Sequence, residues 1–452
     1  MIGNRLIRQL LILAVFKTSL ANGFCGFYVA KAGSELYNKA SQVVIVRSDK
    51  RTAITMVSDY RGEFKDFALV VPVPEVLKRE QINVADRALV DRIDAFTAPR
   101  LVEYFDPDPC NPPPRSGVKL GAGSQSIGGQ GKAGNEKVYG VTVEASYTVG
   151  EYDISILAAK ESLGLERFLI DEGYRLPDGA SKALTPYIKQ GMKFFVAKVN
   201  LKEQSRTGYR YLRPIQFAFE SSKYMLPLRL GMLNASGAQD LIVYAISREG
   251  RVETTNYQTV KVPTDKELPL FVKAEFSQFY LAMLETSYKK EGKKAVFLEY
   301  ASNMSWCDPC AVDPLSPEEL RKLGVFWLEE PGTTVTRSKG RVFVPKRSQT
   351  SPAFVTRLHV RYDESNFAED LFFQETGDQK SFQGRYVVRH PWSGKTDCEL
   401  GKQYEAGLPS QMEERAKNLA GLTGWNVKDV YKKIGQKLPK NMKTKWYERI
   451  FK

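Results

Sequence analysis

Histidine and cysteine, which carry much of enzyme chemistry, are scarce in this chain of 452 residues: there are two histidines, His359 and His390, and five cysteines. A hydrolase built on a Cys-His pair would have to draw on that small stock. Long apolar runs are also missing beyond the N-terminus. The longest lies near Phe67–Val73, where Pro72 and Pro74 interrupt it, whereas a spanning helix needs about 20 apolar residues. The expectation is a soluble chain. No phosphate loop, dinucleotide fingerprint or zinc spacing is present, and there is no Asp-x-Asp-x-Asp-Gly calcium loop, so those cofactor classes have no motif to rest on and none is assigned. Nor is there an internal repeat at solenoid period.

What is present reads as an ordinary globular chain, 42% hydrophobic, 11% aromatic and 26% charged, and nothing suggests global disorder. Its length points to two or three packed units. At the start, Arg5 and Arg8 precede the apolar run Leu10–Phe16, and Ser19-Leu20-Ala21 offers the small residues a signal peptidase accepts. Residues 1–21 are therefore expected to be a cleaved signal peptide and the protein to work outside the cytoplasm, in the periplasm or secreted. Phe24 before Cys25 argues against a lipid anchor.

The formal charge of +14 falls to +11 if Arg5, Arg8 and Lys17 leave with that leader. The rest is lopsided, because Lys428–Lys452 carries nine basic residues against Asp429 and Glu448. An exported protein rarely meets nucleic acid, so anionic lipid or an envelope polymer is the expected partner of such a tail.

Residues 22–110 read as an N-terminal unit. Gln42–Arg47, Thr52–Val57 and Phe67–Val73 form a small sheet, and Ala85–Phe96 is a helix capped by Asn83 and ended by Pro99. Residues 111–136, rich in Gly, Ser and Pro, read as a flexible loop or linker. From 137 to 400 strands and helices mix without strict alternation. Val138–Val143, Phe194–Val199, Ile215–Phe219, Leu241–Ile246, Val252–Val262, Ala295–Tyr300, Arg341–Val344, Thr356–Tyr362 and Gly384–Val388 look extended. Glu161–Asp171, Ala180–Lys189 and Glu275–Lys289 look helical. The expected class is α+β, with mixed, largely antiparallel sheets, packed helices and a helical C-terminal segment (401–452) beginning around Ser410.

Several unusual strings then stand out: Cys25-Gly26-Phe27-Tyr28-Val29-Ala30-Lys31-Ala32, Ala40-Ser41-Gln42-Val43-Val44 and Phe67-Ala68-Leu69-Val70-Val71-Pro72-Val73-Pro74. To these are added Tyr104-Phe105-Asp106-Pro107-Asp108-Pro109-Cys110, Trp306-Cys307-Asp308-Pro309-Cys310 and Gly384-Arg385-Tyr386-Val387-Val388-Arg389-His390-Pro391-Trp392. Through them the chain resembles, end to end, the bacterial family named domain of unknown function 2330. The resemblance implies an exported bacterial protein and brings no activity, ligand or catalytic residue with it.

In an oxidising compartment Cys25, Cys110, Cys307, Cys310 and Cys398 should pair, one being left over, with 15 arrangements open. The Trp306–Cys310 string resembles a thioredoxin-like dithiol site, which makes Cys307 and Cys310 the redox candidates. Prolines at 309, 314 and 317 delay any following helix and Asp308 disfavours a neighbouring thiolate, so a structural disulfide is the preferred reading. Asp106, Asp108, Asp308 and Asp313, each beside proline, would surround calcium only if their loops met. Asp-Pro is first a turn signal, so no metal is assigned. The acidic run Asp363–Asp378 reads as a solvated loop. His359 and His390 lie in or beside alternating strands and read as satisfied, partly buried histidines.

The functional expectation is a non-enzymatic binding or structural protein of the cell envelope. A thiol-disulfide oxidoreductase and a Cys-His hydrolase stand as rivals. At the C-terminus, Met412, Ala416 and Leu419, then Val427, Val430 and Ile434, recur at helical spacing on either side of Gly424, giving two helices that should dock on the body. Beyond them Met442, Trp446 and Ile450 alternate with Lys443, Lys445, Arg449 and Lys452. That pattern suits either an anionic membrane surface or a packed helix with solvated lysines. The apolar-poor loop makes one direct prediction: brief proteolysis cuts first at Arg115, Lys119 or Lys132, and first cuts near Val138 instead would show that the order lies elsewhere.

Overall fold

The strand Ser41–Ser48 is apolar on both faces, and its alternate residues enter two different cores: Val43 and Ile45 face one, Val44 and Val46 the other. A strand of this pattern belongs in the middle of a covered sheet. The computed structural model, which describes residues 27–31, 41–57, 68–111, 141–172, 174–176, 179–207, 211–234, 238–304, 313–328, 336–338, 341–343, 353–363, 365–367 and 369–435, places it there. Residues 1–26, 112–140, 305–312 and 436–452 lie outside the described residues, and with them the expected signal peptide, Cys25, Cys307, Cys310, almost all of the expected linker and the basic tail beyond Gly435.

The fold is α+β, with mixed and mainly antiparallel sheets and a helical C-terminus. A nine-stranded sheet runs in the order Gln258–Lys261, Ala295–Asn303, Phe354–Tyr362, Gln239–Ser247, Ser41–Ser48, Arg51–Val57, Ile215–Glu220, Ile82–Val84, with Phe382–Gln383 pairing beside Ala295–Asn303. A six-stranded sheet runs Val141–Val149, Tyr152–Ala159, Lys193–Val199, Ala68–Val73, Phe27–Lys31, Tyr174–Arg175. The two sheets share one apolar core, in which Phe195 of the smaller stacks on Phe217 of the larger at 5.1 Å between centroids. Helices Arg87–Thr97 and Pro317–Lys322 cover the outer face of the large sheet, and Ser162–Asp171 and Ala180–Lys189 cover that of the smaller. The layers are thus helix, sheet, sheet, helix.

At one end a three-stranded sheet, Lys266–Leu268, Arg385–His390 and Arg100–Phe105, is parallel throughout. Its core of Leu268, Tyr386 and Val388 meets Phe279 and Met283 of the helix Phe276–Lys290, then Ala416, Leu419, Val430 and Tyr431 of the two C-terminal helices. The expected docking of those two helices is what the structure shows. Gly424 ends the first of them in the left-handed region, φ 71°, where a side chain would be strained.

Five local readings are corrected. The strands around Val43, Ile54 and Val71 do not make one small sheet: the first two join the large sheet and Ala68–Val73 the other, because both edges of Ala68–Val73 are taken by Lys193–Val199 and Phe27–Lys31. The first helix is capped by Asp86, whose side chain accepts the Ala88 N–H at 2.9 Å, while Asn83 sits in a short strand. The extended stretch at 252–262 breaks at Thr255–Tyr257 into strands of different sheets. The long C-terminal helix begins at Glu399, eleven residues ahead of Ser410; Gly401, Gly407 and Pro409 hide it from propensity, and Cys398 caps it. The acidic run is not a solvated loop either. It contains the strand Leu371–Glu375 and the buried Asp370, which accepts from the Tyr187 hydroxyl at 2.5 Å and the Leu228 N–H at 2.8 Å.

Because Phe217 sits where the two sheets meet, Phe217→Ala is expected to cost about 3–5 kcal/mol in urea unfolding, and a loss below about 1 kcal/mol would show that the sheets do not depend on this contact.

Candidate functional site

Two places gather polar side chains: a cleft beside the C-terminal helix and a chain of charges buried under the large sheet. The cleft begins with the Asp106–Cys110 string. Asp108 Oδ1 accepts the Cys110 N–H at 2.8 Å and Oδ2 the Asn111 side chain at 3.1 Å, which closes the turn that Asp-Pro favours. Cys110 is then bonded to Cys398 across 288 residues of sequence. That bond holds the loop against the start of the C-terminal helix, where Cys398 Sγ accepts the Gly401 N–H.

Facing the loop, Glu267 is clamped by two arginines, Arg389 Nε at 2.8 Å and Arg415 Nε at 3.0 Å. Burial alone would raise the Glu267 pKa; the Arg389 and Arg415 charges outweigh it and hold the group below the usual carboxylate range. Tyr404 joins loop, strand end and helix: its hydroxyl donates to Asp106 Oδ2 at 2.7 Å and accepts the Trp392 N–H at 2.8 Å. The space between these groups is about 670 Å³. At its edge the Tyr104 ring carries the Arg389 guanidinium at 5.3 Å and is 40% exposed, while Phe105 on the other strand face is 70% exposed and stacked on His390.

The buried chain starts from an irregularity. Leu298 pairs with Leu358 but Tyr300 pairs with Arg357, so Glu299 is the extra residue of a β-bulge. The bulge turns a fully buried carboxylate toward Arg357 and His359, which alternate with Arg361 along one face of the strand Phe354–Tyr362. Glu299 accepts from Arg357 Nε at 2.5 Å, lies 2.7 Å from His359 Nδ1, and accepts from the Tyr280 hydroxyl. His359 Nε2 lies 3.1 Å from Asp240, which pairs with Arg361, and Arg361 with Glu285. Arg357 also reaches Asp94 at 2.7 Å on the covering helix, beneath the Tyr244 ring. Gly384 allows the crossing: its N–H donates to the Glu299 carbonyl at 2.7 Å, and a Cβ there would come within 2.9 Å of Val262.

Burial alone would lower the His359 pKa, yet Glu299 and Asp240 outweigh it and raise it to about 9. Burial would likewise raise Glu299, but His359 and Arg357 bring it down to about 2. The imidazole is therefore a charged link between two carboxylates. His390 is a half-exposed partner of Glu103 at 2.9 Å. Neither histidine has a described cysteine as a hydrogen-bond partner.

Of the cysteines, Cys110 and Cys398 are joined; Cys25, Cys307 and Cys310 lie outside the described residues, as do Lys443, Lys445, Trp446, Arg449 and Lys452. Asp106 and Asp108 share the cleft, whereas Asp313 lies elsewhere, with its carbonyl taken by Arg92. Among the described residues no three His, Cys, Asp or Glu side chains converge as metal ligands. Sequence reading missed Glu267, Arg389, Tyr404 and Arg415, which come together only through pairing of distant segments. Glu299 had a signal, a single charge in the apolar run Ala295–Ala301, and so did the Arg357-His359-Arg361 alternation.

Fold and site together define a layered α+β protein with a polar cleft pinned by a disulfide. The chain belongs to a family described as "Uncharacterized protein conserved in bacteria (DUF2330)", whose model matches residues 19–374; the match stops short of the Gly384–Trp392 string. Comparison with curated proteins and with solved structures found no match.

The sign of the two shifts makes a pH prediction. His359, raised from 6.5 to about 9, contributes stability that is complete below about pH 6.5 and is lost as pH rises through 9; Glu299, lowered from 4.5 to about 2, contributes stability that is complete above about pH 4.5 and is lost as pH falls through 2. Thermal stability should peak between those limits, and His359→Gln should flatten the fall between pH 7 and 9. An unchanged alkaline limb in that variant would remove His359 from the account.

Proposed function

We propose that the protein is exported and acts in the bacterial cell envelope as a non-enzymatic binding protein, with the polar cleft as its ligand site. Export is supported by the order of charged, apolar and small residues over positions 1–21. It is supported again by the Cys110–Cys398 bond, which suits an oxidising compartment. Among the described residues no helix is long and apolar enough to cross a membrane. The basic tail, with Lys443, Lys445, Trp446, Arg449 and Lys452, would add contact with an anionic membrane surface or envelope polymer.

The observation that carries the binding reading is the state of the cleft's charges. Glu267, Arg389, Arg415 and Asp106 are paired with one another, so the cleft offers donors and acceptors in fixed positions. Fixed polar groups beside the exposed ring of Tyr104 suit a hydroxyl-rich polymer, whose hydroxyls take the polar groups and whose ring faces take the aromatic.

Two measurements test the reading. N-terminal sequencing of the exported protein should begin near Asn22. Titration with soluble envelope polysaccharide fragments should show binding that Arg389→Gln weakens about tenfold, with a stability loss near the 0–1 kcal/mol expected for a part-exposed ion pair. Binding by no fragment, or equal binding by the variant, would overturn the assignment of the cleft.

A further inference from the structure

Three arginines are buried among the described residues, Arg47, Arg357 and Arg415. The last two are ion-paired, with Glu299 and Asp94 and with Glu267. Arg47 is not. Its Nη1 donates to Thr52 Oγ1 at 2.9 Å and to the Lys223 carbonyl at 3.2 Å, and its Nη2 to the Ser221 carbonyl at 2.9 Å. The guanidinium lies 5.1 Å over the Tyr224 ring. A buried cation with no carboxylate at ion-pair distance carries a desolvation cost that the neighbouring Tyr224 and Asp49 offset only in part.

Its neighbours share the condition. The Tyr224 hydroxyl and the Arg248 Nε are buried without a hydrogen-bond partner, an arrangement rare enough in folded proteins to need a cause. Glu375 is a part-buried carboxylate bonded to backbone, accepting the Glu249 and Gly250 N–H groups at 2.5 and 3.4 Å, with no cation paired to it among the described residues. Arg47, Tyr224, Arg248 and Glu375 line one cleft of about 410 Å³, together with the exposed Asp49 and Glu249. It shares no lining residue with the cleft beside the C-terminal helix.

The signs of these groups narrow the ligand. Two guanidinium groups with no ion-paired carboxylate among the described residues call for one, which the arginine fork matches in geometry. A simple or multiply charged anion would meet Asp49, Glu249 and Glu375 as well, and they would repel it. A ligand bearing an ammonium group as well satisfies both sets, and the volume lies in the range of small-molecule sites. We infer that this cleft is a second binding site, for a small zwitterion of the α-amino-acid or dipeptide type, its carboxylate held by Arg47 and Arg248 and its ammonium by the acidic residues.

The test is calorimetric titration of the purified full chain with the free amino acids and a matched set of dipeptides. Arms with the N-acetylated and the C-amidated forms of any binder follow, then acetate and inorganic phosphate. The expected result is one-to-one binding of at least one zwitterion, weakened about tenfold or more when either end is blocked. Binding by amino acids alone or by dipeptides alone identifies the source. Arg248→Gln should weaken binding about tenfold while circular dichroism and thermal melting stay as in the parent. Arg47→Gln should do the same, and if that variant fails to fold, Arg248→Gln carries the test. No binding across the panel, affinity for acetate or phosphate equal to that for the zwitterions, or unchanged affinity in Arg248→Gln would each overturn the inference.

Discussion

Most of the structure around the C-terminal half depends on one buried carboxylate. Glu299 lies on the large sheet and bonds to Arg357 and His359 of the neighbouring strand and to Tyr280 of the helix Phe276–Lys290, while Arg357 extends the chain to Asp94 on the covering helix. Taking such charges out of water is expensive, and their attraction repays it only when every donor and acceptor is matched. Here the matching sets the register of three strands and the seating of two helices at once. An apolar core alone would tolerate a slip between them, whereas a displaced Glu299 would take from Arg357 and His359 one of the two carboxylates that each of them holds.

The disulfide does a different kind of work. It joins residues 288 apart in sequence, fastening the loop after Arg100–Phe105 to the start of the last long helix. A bond across so long a loop restricts the unfolded chain as well as the folded one. Together with Tyr404 it gives the polar cleft two walls fixed relative to each other, one from the loop and one from the helix. The zwitterion cleft is built on the turn after Ser41–Ser48 and the end of Leu371–Glu375, so the two proposed sites rest on different parts of the fold.

Elements with strong local signals were legible in the sequence. The helix Ala180–Lys189 was read at both ends, and the strands around Val43, Ile54, Phe195, Phe217 and Val243 within a residue or two, because alternation and apolar spacing act over a few residues. Where two signals competed, local reading failed. Gly401 and Pro409 masked the start of a helix that a cap and tertiary packing nonetheless stabilise, and a turn at Thr255–Tyr257 inside an otherwise extended run divided it between two sheets. Asp370 read as part of a solvated acidic run because nothing nearby in sequence announces Tyr187, which takes its charge indoors.

The α+β class, the two docked C-terminal helices and the bacterial family were therefore determined by the sequence itself, since period, capping and unusual strings are properties of neighbouring residues. Which cysteines meet, which histidine is clamped between carboxylates, and which buried arginine makes no ion pair among the described residues were decided only by the tertiary structure. Electrostatic pairing and disulfide bonding act between groups brought together by strand order, and Asp94 with Arg357, Cys110 with Cys398, and Arg47 with Tyr224 are separated in sequence by far more than any local pattern spans.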